Sequence, residues 1–235
     1  MATVRRLAAS VFVLVTGATG VALLAPGGLG DAQPRAVTKG ASAELYRMVV
    51  ASAARAPEWL AAAGRHGAAA GLLGLALVLA WTGRTGWRRR SPAAAGTVLV
   101  GAAALVAYLA SEAVKLVVDE HRPCRAWGLL STWDACPPVG DWSFPSNHAT
   151  VAGALAAGLL VLAPRWAILA APLAVLVAAS RVVGGVHYPH DVLAGLLLGA
   201  TVTVAALVAG MPAAHRWVSA VWHRPPRSTA SSVRR

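Results

Sequence analysis

Three short stretches interrupt an otherwise apolar chain with residues able to do chemistry. "SEAVKLVVDEHRPCR" carries Lys115 and Arg122, "FPSNHAT" carries Ser146, Asn147 and His148, and "SRVVGGVHYPHD" carries Arg181, His187 and Asp191. On a continuous helix, a seven-residue step falls about 20° short of two turns, so Lys115 and Arg122 would share a face until Pro123 ended the helix. His187 and Asp191, four apart, face each other if a helix has begun there. Three cations beside the free N–H groups of a helix start make a phosphate cradle. A histidine held by a carboxylate is a tuned nucleophile or base, and a second histidine can protonate a leaving group. The set describes phosphoryl transfer without a metal, the cations and the helix start neutralising the charge of the transition state.

The elements that must bring these stretches together are membrane helices. The 235 residues are 57% hydrophobic and only 13% charged, well below the roughly 25% charge of a soluble domain. The apolar residues form long runs, and mean hydropathy is +0.60. Six spans are expected near 7–25, 66–83, 93–115, 147–163, 167–184 and 190–210, giving an all-α, six-helix polytopic membrane domain over 1–214. The basic remainder, 215–235, reads as a disordered tail. In an antiparallel bundle the end of span three, the start of span four and the end of span five meet at one end. Lys115, Arg122, Ser146, His148, Arg181, His187 and Asp191 then converge there.

The net charge of +12 does not point to nucleic acid, because it sorts by loop. The termini, with the loops after spans two and four, hold twelve arginines and no acid; the other side holds all nine acids and nine Lys and Arg. The positive-inside rule places both termini in the cytoplasm of a plasma membrane and the three clusters outside. Trp59, Trp81, Trp87, Trp142, Trp166 and Trp217 sit near span ends, as interfacial anchors do. The first span also has the makings of a signal peptide, with Arg5 and Arg6 before an apolar core. The stretch "AELYRMVVASAARAPEWLAAAG" reads as a helix, either lying in the membrane interface or solvated. Cys124 and Cys136 share an outer loop, where an oxidising environment favours a disulfide over two free thiols.

The three clusters resemble the three signature motifs of the type-2 phosphatidic acid phosphatase superfamily, which also includes the vanadium haloperoxidases. Lys115 to Arg122-Pro123 is similar to its first motif, Pro145-Ser146-Asn147-His148 to its second, and Ser180-Arg181 with His187 and Asp191 to its third. The resemblance implies that His187 attacks phosphorus, Asp191 orients it and His148 protonates the leaving oxygen. It implies that Lys115, Arg122, Arg181, Ser146 and the Asn147 N–H hold the phosphoryl oxygens, with no cofactor or metal. Asn147 stands where the family has glycine. Asparagine is the residue after glycine that best tolerates positive φ, and its amide could add a donor. His121 and His190 break the motif spacing and read as surface groups; His66, His215 and His223 read as loop residues. The rival reading is a small transporter, which would place polar groups at the midplane of several spans; here they gather at one end. The implied substrate is a lipid phosphate or diphosphate, a polyprenyl carrier ahead of phosphatidate or phosphatidylglycerol phosphate. Membrane lipids are the only other partner implied.

Overall fold

The computed structural model describes residues 1–27, 34–128 and 132–222. Among the described residues eight α-helices follow one another: α1 (Ala2–Leu24), α2 (Ala41–Ala53), α3 (Glu58–Arg88), α4 (Ala93–Lys115), α5 (Pro123–Ala126), α6 (Asn147–Leu162), α7 (Ala167–Val183) and α8 (Pro189–Trp222). Among the described residues the only bridge of β type is Arg35 to Glu120. Five helices, α1, α3, α4, α7 (with the 3₁₀ turn that leads into it) and α8, are long and apolar enough to cross a membrane; α6 is apolar but shorter.

Small residues set the packing. Helices in lipid gain little from hydrophobic exclusion, so close backbone approach matters. A Cβ added at Gly199 would lie 1.9 Å from the Thr150 carbonyl oxygen, one at Gly195 would lie 2.5 Å from that of Ser146, and one at Gly153 would lie 2.4 Å from that of Leu196. This stripe presses the start of α6 onto the start of α8, which is how Ser146 and His148 come beside His187 and Asp191. α4 packs on both helices, and Leu159, Val100 and Val177 lie in the buried centre. α1 closes the outer side of α8, where the Ser10 hydroxyl donates to the Ala205 carbonyl at 3.1 Å.

Several expectations change. α3 and α8 run well past the apolar windows expected for them, because arginine and histidine turns continue a helix beyond the hydrocarbon; His66 and His215 are therefore helical. Residues 215–222 continue α8, and 223–235, His223 included, lie outside the described residues. The amphipathic stretch after Ser42 breaks at 54–57, giving the separate helix α2 and the first turn of α3. α4 stops at Lys115, so Lys115 and Arg122 do not share a helix face. The chain from 119 to 121 instead pairs with Arg35, whose N–H donates to the Asp119 carbonyl at 2.8 Å while its own carbonyl accepts from His121 at 2.8 Å. Pro123 then begins α5 rather than ending α4, at the first helical position where its missing N–H costs nothing.

Candidate active site

Asp191 is the third residue of α8, and Pro189 occupies the first helical position. The Asp191 carboxylate reaches back to accept the Tyr188 N–H at 2.8 Å, half of a capping box. Its Oδ2 also takes the Ser143 hydroxyl at 2.5 Å and faces His187 Nδ1 at 3.3 Å. That arrangement puts the His187 proton on Nδ1 and the lone pair on Nε2. Nε2 points at Arg122, whose Nη1 lies 2.9 Å away. Burial is the dominant influence on His187, ahead of the Asp191 hydrogen bond, and pushes its imidazole down to about 4. The ring is thus neutral and nucleophilic near neutral pH.

The cations arrive from three elements. Arg122 is pinned by Nε to the Asp141 carbonyl at 2.8 Å, by Nη2 to Asp141 Oδ1 at 2.8 Å and by Nη1 to the Val186 carbonyl at 3.1 Å. Lys115 Nζ lies 3.0 Å from Glu112 and 3.5 Å from Asp141 Oδ1, so it is Asp141, not a helix face, that unites the two cations. Arg181 Nη1 pairs with Asp134 at 2.8 Å. Burial opposes ionisation of Asp141, but Arg122 and then Lys115 outweigh it and hold the carboxyl below its usual range. Asp134 lies on the loop that the Cys124–Cys136 disulfide closes, S–S 2.04 Å, and Asp141 follows that loop five residues after Cys136.

The start of α6 faces the same place. Ser146 is the residue before the first turn, yet its hydroxyl caps nothing. Ser146 Oγ and Arg181 Nε are both buried with no partner among the described residues, a costly state unless a ligand satisfies them. His148 is half-buried, lies in the field of Arg181, Arg122 and Lys115, and has no hydrogen-bond partner among the described residues. Asn147 adopts ordinary helical backbone, so positive φ is not what asparagine supplies here. Its amide nitrogen donates to Glu112 at 2.6 Å and its carbonyl accepts from Ser111 at 2.7 Å, tying α6 to α4 and steadying the partner of Lys115.

All eight residues proposed from sequence therefore meet at one end of the bundle. Two imidazoles, a carboxylate beside one of them, three cations and unsatisfied donors are together. Residues 95–214, just over half the chain, match the PAP2 superfamily. The chain belongs to the PAP2 superfamily. PAP2 relatives include an undecaprenyl-diphosphatase of Sulfolobus acidocaldarius, 39% identical over 100 residues, covering 42% of this chain and 48% of that one. A decaprenylphosphoryl-5-phosphoribose phosphatase of Mycobacterium tuberculosis is 36% identical over 107 residues, 45% of this chain and 56% of the relative. The chain thus matches about half the length of these relatives. The solved PAP2-type phosphatidylglycerolphosphate phosphatase of Bacillus subtilis superposes with a TM-score of 0.52 at 22% identity, over 87% of this chain and 96% of that one. A PAP2 fold with five candidate spans makes this a multi-pass membrane protein.

Sequence reasoning passed over Glu112, Glu120, Asp134, Asp141, Ser143 and His190. Glu112 was within reach, three residues before Lys115 on one helix. His190 adjoins Asp191 in the third stretch, and Glu120, Asp134, Asp141 and Ser143 approach the site only through tertiary structure. His190 is not a surface group: its side chain is 12% exposed and lies 3.2 Å from Asp191 Oδ1.

Proposed function

We propose that the chain is a metal-independent lipid phosphatase acting through a phosphohistidine on His187. The observation that carries this reading is the His187 Nε2 lone pair, aimed at the Arg122 guanidinium with Asp191 behind Nδ1. A phosphoryl oxygen takes over the Arg122 N–H and frees that lone pair. Nε2 then bonds to phosphorus as the P–O bond to the leaving group breaks, and His148 delivers a proton to the leaving oxygen. Water next attacks the phosphohistidine, giving its proton to His148 and releasing inorganic phosphate and neutral His187. Lys115, Arg122, Arg181, the Ser146 hydroxyl and the free N–H groups starting α6 hold the phosphoryl oxygens throughout.

The substrate favoured is a polyprenyl diphosphate or phosphate. The names of the Sulfolobus and Mycobacterium relatives, an undecaprenyl-diphosphatase and a decaprenylphosphoryl-5-phosphoribose phosphatase, support it, as does a site at the end of a lipid-embedded bundle. The site faces outward from a plasma membrane with both termini inside, on the strength of the one-sided arginines. Purified protein in detergent, offered polyprenyl diphosphate, phosphatidate and phosphatidylglycerol phosphate with and without EDTA, tests the reading. Phosphate release unaffected by EDTA, with acid-labile phosphate trapped on His187, is the expected result. Loss with EDTA and recovery with magnesium would overturn it. Lys39→Cys, labelled by an impermeant thiol reagent in intact cells, checks the orientation; labelling only after lysis would reverse it.

A further inference from the structure

A second imidazole stands behind the first and has no part in the scheme above. His190 Nε2 lies 3.2 Å from Asp191 Oδ1 and 3.2 Å from the Glu120 carboxylate. Its Nδ1 is 2.6 Å from the Ser42 hydroxyl, and its backbone N–H donates to the same oxygen at 3.3 Å. The Tyr188 ring stacks on it at 5.4 Å and the Phe144 ring at 6.0 Å. The imidazole is therefore fixed both in its plane and across its faces. Asp191 and Glu120 are both fully buried. Asp191 divides its oxygens: Oδ2 serves His187, Ser143 and the Tyr188 N–H, while Oδ1 faces His190.

We propose that His190, clamped by Ser42 and Glu120, is a positioning residue that fixes Asp191 through Oδ1, so that Oδ2 holds His187 with its lone pair on Nε2. Two buried carboxylates side by side cannot both stay ionised without a hydrogen between them. Burial first, and Asp191 second, push the Glu120 carboxyl well above its usual range. His190 Nε2 stands between the two carboxylates, hydrogen-bonded to Glu120 Oε2 at 3.2 Å and within 3.2 Å of Asp191 Oδ1, and leaves Asp191 an acceptor towards His187. Were Asp191 itself to carry the proton on Oδ2, it would no longer accept from Nδ1, and the tautomer of His187 would be lost. Ser42 makes the first turn of α2 part of this support, although it lies 148 residues from His190 in the chain.

The inference rests on Asp191 orienting His187, as proposed above, and the experiment separates the two. Turnover of p-nitrophenyl phosphate by the full chain in detergent is the readout. His190→Ala should lower kcat about 10- to 100-fold, the usual cost of removing a group that orients a working side chain, with KM within about twofold. His190→Gln, which keeps a donor, should recover several-fold of that loss. In an Asp191→Asn background His190→Ala should cost nothing further, because its route of action is gone. The full loss repeated in that background, or a rise in KM with kcat unchanged, would overturn the proposal. If thermal unfolding shows that His190→Ala does not fold, Ser42→Ala decides: kcat falls with KM unchanged, and only where Asp191 is present. An Asp191→Asn enzyme as fast as the parent would instead strike at the orienting role of Asp191 itself.

Discussion

Two histidine–carboxylate pairs lie three residues apart, and only one of them is equipped to attack phosphorus. His187 gives Nδ1 to Asp191 and turns Nε2 towards a guanidinium among cations. His190 has both nitrogens committed, Nδ1 to Ser42 and Nε2 to two buried carboxylates. Residue type and burial do not separate them. What separates them is a nitrogen whose partner a phosphate can replace. The guanidinium is such a partner, since phosphate oxygens accept its hydrogens as well as the imidazole does; a buried carboxylate is not.

The sharpest way to break this contrast is to remove His187. His187→Ala should abolish turnover of every substrate and leave no acid-labile phosphate on the protein. Phosphate trapped on His190 instead would reverse the two roles. The next largest effect separates nucleophile from acid. His148→Ala should lose about 10²–10⁴-fold on a lipid monophosphate but far less on p-nitrophenyl phosphate, whose leaving group barely needs a proton. A diphosphate should fall between. Equal losses across leaving groups would mean that His148 is not the proton donor.

Acid probes the same nitrogen. Protonation of Nε2 destroys the nucleophile, and burial has lowered the imidazole to about 4. Phosphoenzyme formation with p-nitrophenyl phosphate, corrected for the substrate's own ionisation, should therefore hold as pH falls through 6.5. It should drop about tenfold per unit only below about 4. A midpoint near 6.5 would show His187 to be solvated like a free histidine. The smallest effect concerns the cations. Asp141→Asn keeps the carbonyl bond to Arg122 Nε but removes a negative charge from beside Lys115 and Arg122. KM should fall about three- to tenfold with kcat little changed, the scale of a partly exposed charge interaction. A rise in KM would show that the carboxylate positions Arg122 more than it competes with phosphate.

The reacting groups were legible in the sequence because each cluster is local: His187 with Asp191, Ser146 with His148, Arg181 at the end of a span. Their convergence followed from counting spans. The support was not legible. Asp141 joins Lys115 to Arg122 across a loop, and Ser42 meets His190 from 148 residues away in the chain, so neither has a spacing to read. Asn147 misled for a related reason. Its type suggested a backbone role, but a neighbouring helix offered its amide Glu112 and Ser111, and the side chain rather than φ explains it. Helix lengths were underestimated in α3 and α8 because hydropathy ends where charged turns begin, while the hydrogen-bonded backbone does not.

Ser10 carries a consequence for how the molecule is made. Its hydroxyl donates to the Arg6 carbonyl within α1 at 3.0 Å and to the Ala205 carbonyl of α8 at 3.1 Å. During synthesis α1 enters the bilayer well before α8 exists. The bond to Arg6 keeps the hydroxyl satisfied in hydrocarbon through that interval. When α8 arrives, Ala205 is added as a second acceptor and no bond has to break. α8 can thus latch onto α1 without a desolvation barrier, and the catalytic end is closed only once α8 has been inserted.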